Sequence, residues 1–280
     1  MSVKGFYHTF HDRIYDKRLH SPYPLRRYVH QLNYAGIIQY IIRLTPAGGY
    51  VLDAGCGDGT LSFQAAVSLV NKSVQVVGVD ISCPNIQAAR KRFVDADTTL
   101  ISGHLEYTVG DVENLPFPDN TFDVVVSSHV LEHLPHLEQG LREIHRVTKR
   151  YALIAIPTCL NLCAMVLLGG DNWWAFSRRT PIALWAGLAR VLIHLLEEGV
   201  DEGYMGRKEL SHMWRYPWVM RRLLREVGFA IERFEAQSLC IPYLGSLAEP
   251  LLAIQRLVDI FRKWPILREL GYGSLAVVRK

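Results

Sequence analysis

Val51-Leu52-Asp53-Ala54-Gly55-Cys56-Gly57-Asp58-Gly59 is the stretch that decides the fold. It reads as a buried strand ending in a carboxylate, then a glycine-rich turn, then the opening of a helix. Turns of this kind lie at the ligand-binding edge of open α/β sheets, where glycines let a ligand approach the backbone closely. Asp53 restricts the charge of that ligand. A pyrophosphate against this turn would be repelled by the acid, whereas a ligand with a positive centre would be attracted. A dinucleotide loop of the GxGxxG type would also need glycine at position 60, where this chain has Thr60, its third glycine falling at Gly59. The turn therefore points away from NAD and toward a cationic cofactor.

Outward from this turn, strand and helix patterns alternate, which predicts an α/β fold with a parallel sheet covered on both faces. Expected strands are Val51 to Ala54, Val74 to Ile81, Leu105 to Val109, Phe122 to Ser127, Tyr151 to Ile156, Phe229 to Ala236 and Ser274 to Arg279. Helices are expected over Leu61 to Leu69, Asn85 to Phe93, Leu137 to Val147 and Trp218 to Val227, the last closed by Gly228. The chain divides as one domain over residues 1–280. A helical region, 1–46, leads into a cofactor-binding core, 47–158. A helical cap insertion, 159–217, precedes the C-terminal half of the sheet, 218–280, with an inserted helix at about 246–264. In that insert Leu247, Leu251, Ile254, Val258 and Phe261 recur at helical spacing opposite Gln255, Arg256, Asp259 and Arg262, the pattern of an amphipathic helix.

Composition narrows the class. A hydrophobic content of 49% with 21% charged residues describes a globular chain, and a formal charge of +4 is too small for a nucleic-acid footprint. Cys56, Cys83, Cys159, Cys163 and Cys240 form no CxxC pair, which fits reduced thiols and a cytoplasmic location. Cys159 and Cys163 are expected to pack in the core rather than bind zinc. Tyr151 to Gly170 holds no charge, but Pro157, Thr158 and Asn161 interrupt it, and its first half reads as a buried strand rather than a membrane span.

S-adenosylmethionine (SAM), with its sulfonium and ammonium groups, is the cationic cofactor that these residues suit. Asp53, Gly55, Gly57 and Gly59 offer an acid and close backbone for its methionine end. Asp80, at the end of the next strand, can accept both hydroxyl protons of a ribose diol. Asp111, with Val112 as an apolar edge, suits the adenine. Ser127-Ser128-His129, at the end of the fourth strand, lies where the methyl group would be. The cofactor-binding set read here is Asp53, Gly55, Cys56, Gly57, Gly59, Asp80, Ile81, Asp111, Val112 and Ser128.

Five segments together carry a family resemblance: Asp53 to Gly59, Gly78 to Ser82, Gly110 to Asp119, Phe122-Asp123 and Val130 to Leu134. Over about Tyr50 to Pro157 the chain resembles the class I SAM-dependent methyltransferases, and most of all the type-11 group that includes quinone C-methyltransferases. The resemblance implies a Rossmann-like seven-stranded sheet whose last strand is antiparallel, with helices on both faces. It also implies cofactor contacts from Asp53, Gly55, Asp80, Asp111 and the backbone of Val112 and Ser128.

The reaction expected is direct displacement, in which an acceptor oxygen, carbon or nitrogen attacks the methyl group. Such chemistry needs alignment and desolvation more than a metal. Where a proton must leave, His129, His212 and Tyr204 are the candidate bases, with His20 a further one. His129-Val-Leu-Glu132-His133 also matches an HxxEH zinc pattern, but its place after the fourth strand makes it a loop-packing element, and no metal is expected. The aromatics Trp173, Trp174, Phe176, Trp185, Trp214, Tyr216 and Trp218 suit a cap with its own core, a pocket for a small or lipid-like acceptor, or a lid touching a membrane. Arg178-Arg179 could meet phosphate headgroups or an acidic acceptor. The rival readings are a SAM-binding module without catalysis, a protein methyltransferase and a nicotinamide oxidoreductase.

Overall fold

The computed structural model describes residues 3–10, 14–95, 101, 103–207, 212–247 and 249–280. Three helices come first, α1 (Val3–Thr9), α2 (Ile14–Leu19) and α3 (Pro24–Leu44). The core follows as β1 (Tyr50–Ala54), α4 (Thr60–Leu69), β2 (Gln75–Asp80), α5 (Cys83–Asp95), β3 (Leu105–Val109), β4 (Phe122–Ser128), α6 (Leu137–Val147) and β5 (Thr148–Pro157). Next come α7 (Leu162–Leu168), α8 (Thr180–Glu197), β6 (Gly203–Arg207) and β7 (His212–Arg215). The chain closes with α9 (Pro217–Glu226), β8 (Ala230–Ala236), α10 (Leu244–Leu247), α11 (Leu252–Asp259) and β9 (Gly273–Arg279).

Seven strands form one sheet in the order β3-β2-β1-β4-β5-β9-β8. Neighbours from β3 to β5 are parallel, and β9 runs antiparallel to both β5 and β8. The last strand in sequence is thus the antiparallel one, as the family resemblance implies. Strand alternation sends Leu52 and Ala54 to one face, where α6 and α9 pack through Leu141, Ile144, Val219 and Leu224. Val51, Val76 and Val124 go to the other, against Ile37, Ile41, Leu61, Ala65 and Ile86 of α3, α4 and α5. That two-sided burial is why the strands read as near-continuous apolar runs.

The cap and the inserted helix depart from the sequence reading, whereas the charge-free run after Tyr151 follows it. The cap is not wholly helical: β6 and β7 form an antiparallel hairpin, tied to the main sheet by a bridge between Thr158 and Arg215. The charge-free run from Tyr151 ends as β5 at Pro157, and α7 behind it is a short core helix that buries Cys163, Ala164 and Val166.

The inserted helix is broken, and its burial follows neither face cleanly: Leu251 and Val258 are half-buried and Arg256 is exposed. It appears as α10, α11 and short 3-10 turns, with Ile254 and Phe261 exposed and Gln255 and Asp259 buried. The buried chain after β8 explains why Gln255 and Asp259 go inward. Its Leu239 N–H donates to Asp259 at 2.6 Å and its Ile241 N–H to Gln255 at 2.9 Å, while Gln255 donates to Asp259 at 3.0 Å. Unpaired buried amides cost more than apolar groups left in water.

The cap's main helices meet through glycine. A Cβ on Gly187 of α8 would lie 1.8 Å from the Met165 carbonyl of α7, and one on Gly169 would lie 1.8 Å from the Ala183 carbonyl. Any side chain there would force the two helices apart.

Candidate active site

A cavity of about 580 Å³ opens at the carboxyl ends of β1, β2 and β4 and runs under the cap. That volume is in the range of small-molecule sites. One end is lined by Gly55, Gly57, Asp58, Asp80, Ile81 and Asp111. The other is lined by Arg26, His30, Ala164, Leu167, Leu168 and Trp174.

At the sheet end, three acids sit in the same local device, each accepting an N–H two residues further on. Asp58 takes that of Thr60 at 3.1 Å, Asp80 that of Ser82 at 2.8 Å, and Asp111 that of Glu113 at 2.9 Å. Asp80 also accepts the Gly57 N–H at 2.9 Å, which locks the glycine turn to the end of β2. Burial raises its carboxyl above the usual range, against the pull of those two amides. Gly55 holds φ +85° with Val130 packed where a side chain would be, 2.3 Å from an added Cβ. Only glycine keeps the backbone bare at this point of the cavity.

Asp53 does not face the cavity. It follows Val51 on the α4 side of the sheet, where its carboxylate accepts the Ser62 hydroxyl at 2.6 Å. Burial, with Asp80 and Asp58 nearby, lifts its pKa to about 7 despite that bond. Cys56 and Gly59 are also turned inward. Cys56 is buried in the α4 side of the core, and Gly59 packs against Ala89 and Tyr107. The Ser128 carbonyl accepts the Tyr15 hydroxyl at 3.1 Å. Of the ten residues read for the cofactor, Gly55, Gly57, Asp80, Ile81, Asp111 and Val112 line the cavity. Asp58, which also lines it, was legible as the acid between Gly57 and Gly59 but not as a wall residue.

The N-terminal helix closes this end. Lys4 of α1 lies 2.5 Å from both Asp111 and Glu113, the Phe10 carbonyl accepts from Ser82, and Tyr7 meets His133 Nδ1 at 2.8 Å. No local pattern in the sequence marks these contacts, because they join residues far apart along the chain.

Past β4 the histidines gather. His129 takes φ +56°, an uncommon conformation for a residue with a side chain, and lines the cavity. Its Nδ1 is 3.5 Å from Glu132, and His133 Nε2 is 3.8 Å from the same oxygen. Burial opposes charge on Glu132, but His129, His133 and His212 outweigh it and bring its pKa down to about 2. Burial keeps His133 below the usual histidine value in spite of Glu132.

His212 reaches the cluster from β7, stacking on His133 at 4.5 Å and 5°. Glu132, His133 and His212 each bring a ligand atom within 4.8 Å of the others. The imidazoles meet face to face, however, with His133 Nδ1 held by Tyr7 and His212 Nε2 by Trp214 at 3.2 Å, whereas a metal needs converging lone pairs. Residues 131–133 form a single 3-10 turn, so His129 and His133 do not share the helical face of an HxxEH site.

Tyr204 lies in β6, with its side chain outside the described residues. His20 is exposed beside Asp16, away from the cavity. The aromatics divide by role. Trp173 and Tyr216 are fully buried, Trp174 and Trp214 line the cavity, and Phe176 and Trp185 are exposed. Arg178 and Arg179 face solvent.

Comparison with known proteins agrees with this layout. A family model described as a methyltransferase domain matches residues 52–156. That stretch is a methyltransferase domain of the class I SAM-dependent type. The demethylmenaquinone methyltransferase of Desulfitobacterium hafniense is 28% identical over 60% of this chain and 64% of its own length. The ubiquinone/menaquinone biosynthesis C-methyltransferase of Pseudomonas savastanoi is 38% identical over 36% of this chain and 38% of its own length. The chain thus spans less than two thirds of either relative. A solved SAM-dependent methyltransferase from Methanosarcina mazei shares the fold at a TM-score of 0.55 and 19% identity, covering 86% of this chain and 96% of its own. SAM is the cofactor of this family, and the wall residues suit it: two bare glycines in the turn after β1, and an anchored carboxylate at the end of each of two adjoining strands.

Proposed function

We propose that this protein transfers a methyl group from SAM to a small, apolar acceptor seated under the cap. What carries the reading is the continuity of one cavity, from the anchored acids of the sheet edge to the His129 cluster and the apolar wall of α7. Asp80 would hold the ribose hydroxyls, Asp111 and Val112 the adenine, and the backbone of Gly55 and Gly57 the methionine end. The bound cofactor supplies an electrophilic methyl group. The protein's part is to align the acceptor, exclude water and take up a proton where one must leave. His129 suits the last task, since Glu132 beside Nδ1 orients the ring and leaves Nε2 for the acceptor. Quinone-like rings are the first acceptors to try, on the strength of the relatives' names.

Incubation with methyl-labelled SAM and a panel of hydroquinones, phenols and long-chain acids should label at least one of them. S-adenosylhomocysteine (SAH) should bind in calorimetry. Failure of SAH to bind sinks the cofactor assignment, and binding without transfer to any acceptor favours a SAM-binding module.

The cap also offers a membrane contact, on the cytoplasmic side. α8 is the one helix among the described residues long and apolar enough to cross a bilayer, and only 17% of it is buried. Ile182, Trp185, Leu192, Ile193 and Leu196 are exposed along it, with Arg178 and Arg179 exposed just before it. An exposed apolar face beside basic residues suits a helix lying in the headgroup layer. Vesicles containing anionic lipid should float the protein, and the pair Trp185→Asp and Leu196→Asp should abolish flotation. Equal flotation by the variant refutes this contact.

A further inference from the structure

The cap end of the cavity carries positive charge that nothing in the described chain neutralises. Arg26, in the first turn of α3, lines the cavity with its guanidinium over the ring of Trp174 at 4.3 Å, and its Nε is buried without a hydrogen-bond partner. Arg18, at the end of α2, lines the same cavity over the Tyr15 ring at 5.6 Å. Neither pairs with a carboxylate among the described residues.

Other arginines in this protein do find one. Arg92 meets Asp16 at 2.6 Å, Arg146 meets Glu143 at 2.8 Å, and Arg221 meets Glu269 at 2.7 Å. A half-buried guanidinium held only by ring faces loses solvation without the return of a bidentate partner. Burial and the charge of Arg18 both weaken the hold of Arg26 on its proton, the direction expected where two like charges share a pocket.

His30 stands one helical turn after Arg26 and completes the group. Only 7% exposed, it lines the cavity with no described hydrogen-bond partner. Burial and the neighbouring cations keep it neutral, able to donate one hydrogen bond from its ring. The walls beside these three polar groups are apolar, from Ala164, Leu167 and Leu168. Acids dominate the cofactor end, with Asp58, Asp80 and the Lys4-paired Asp111, whereas the Arg26 guanidinium lies at the cap end and Arg18 stands between the two, over the Tyr15 ring that packs on Gly57.

We infer that Arg18, Arg26 and His30 form an anion subsite that binds a carboxylate or phosphate carried by the methyl acceptor, whose apolar part lies along α7. The inference rests on the methyltransferase reading and deepens it by naming the acceptor class: an amphiphile with an anionic group, not a neutral ring alone. The subsite would fix which end of the acceptor faces His129, since the opposite orientation sets an anion among carboxylates.

Dodecanoate and dodecyl phosphate, with dodecanol as the neutral control, test this by calorimetry at saturating SAH. At least one anionic probe should bind about tenfold more tightly than dodecanol, as charge-assisted hydrogen bonds require. Arg26→Gln should remove that preference while the SAH affinity stays within about twofold, and Arg26→Lys should keep part of it. Arg18→Gln serves as the second variant should Arg26→Gln fail to melt cooperatively. Equal binding of anionic and neutral probes overturns the subsite. So does a Gln variant that loses SAH affinity with its probe preference intact, because the arginines then serve the cofactor's own carboxylate. Failure of the wild type to bind SAH would overturn the methyltransferase reading alone, since the probe titration without SAH still reads the preference.

Discussion

The two ends of the cavity are built in opposite ways. At the sheet end, Asp58, Asp80 and Asp111 are each held by a backbone amide two residues away, so their positions follow from short stretches of chain. At the cap end, Arg18, Arg26 and His30 come from α2 and α3, Leu167 from α7, and His212 from β7, all brought together over long sequence separations. The first end is pre-organised and its acids have their hydrogen bonds. The second carries the Arg26 and Arg18 guanidinium groups with no carboxylate partner among the described residues. A locally anchored site is legible from sequence, whereas a site assembled across the fold is legible only in three dimensions.

The largest test of this contrast is Asp80→Ala. It removes the ribose acceptor and leaves the Gly57 and Ser82 amides without a partner, so SAH affinity should fall about a hundredfold, ~2.8 kcal/mol. A titration matching wild type would break the idea that the sheet end is the cofactor's.

Gly187→Ala sharpens the other side. The added methyl meets the Met165 carbonyl at 1.8 Å, so α7 and α8 must separate. The expected loss is about 2 kcal/mol, with a melting temperature lower by roughly 4–8 °C. Apolar probes should bind more weakly while SAH binding holds. If SAH affinity falls in parallel, the two ends are not independent.

The smallest effect concerns Asp53. Its folded pKa of about 7 lies above its ordinary value of 3.8, so between these the folded state keeps a proton that the unfolded state has released. Stability should therefore decline as pH rises from about 4 to 7. Asp53→Asn should flatten that decline in denaturant titrations across the window, with SAH affinity little changed. An identical pH slope in the variant would show that Asp53 does not titrate there.

How far the chain could be read without the structure follows from the same contrast. The strands were legible because alternation and β-branched runs are local, and the acids at their ends because each follows directly on a strand. Proximity to the turn marks Asp53 as a cofactor contact but cannot reveal which face a strand residue takes. Its pairing with Ser62 depends on how α4 lies on the sheet. The α11 segment was less legible still. Periodicity shows the two faces of a helix but not which is buried, and the amides of Leu239 and Ile241, distant in sequence, drew Gln255 and Asp259 inward. The HxxEH pattern likewise named Glu132 and His133 without showing that they meet His212 and Tyr7.

The sequence by itself determined the α/β sheet, its strand-end acids and the cationic cofactor they suit, because those depend on residue spacing and on bonds spanning two or three residues. Only the tertiary structure decided that Asp53 turns inward, that α1 covers Asp111 through Lys4, and that two arginines share a pocket with no carboxylate partner among the described residues. Those outcomes depend on which distant segments compete for the same buried space, and no short window of sequence contains both competitors.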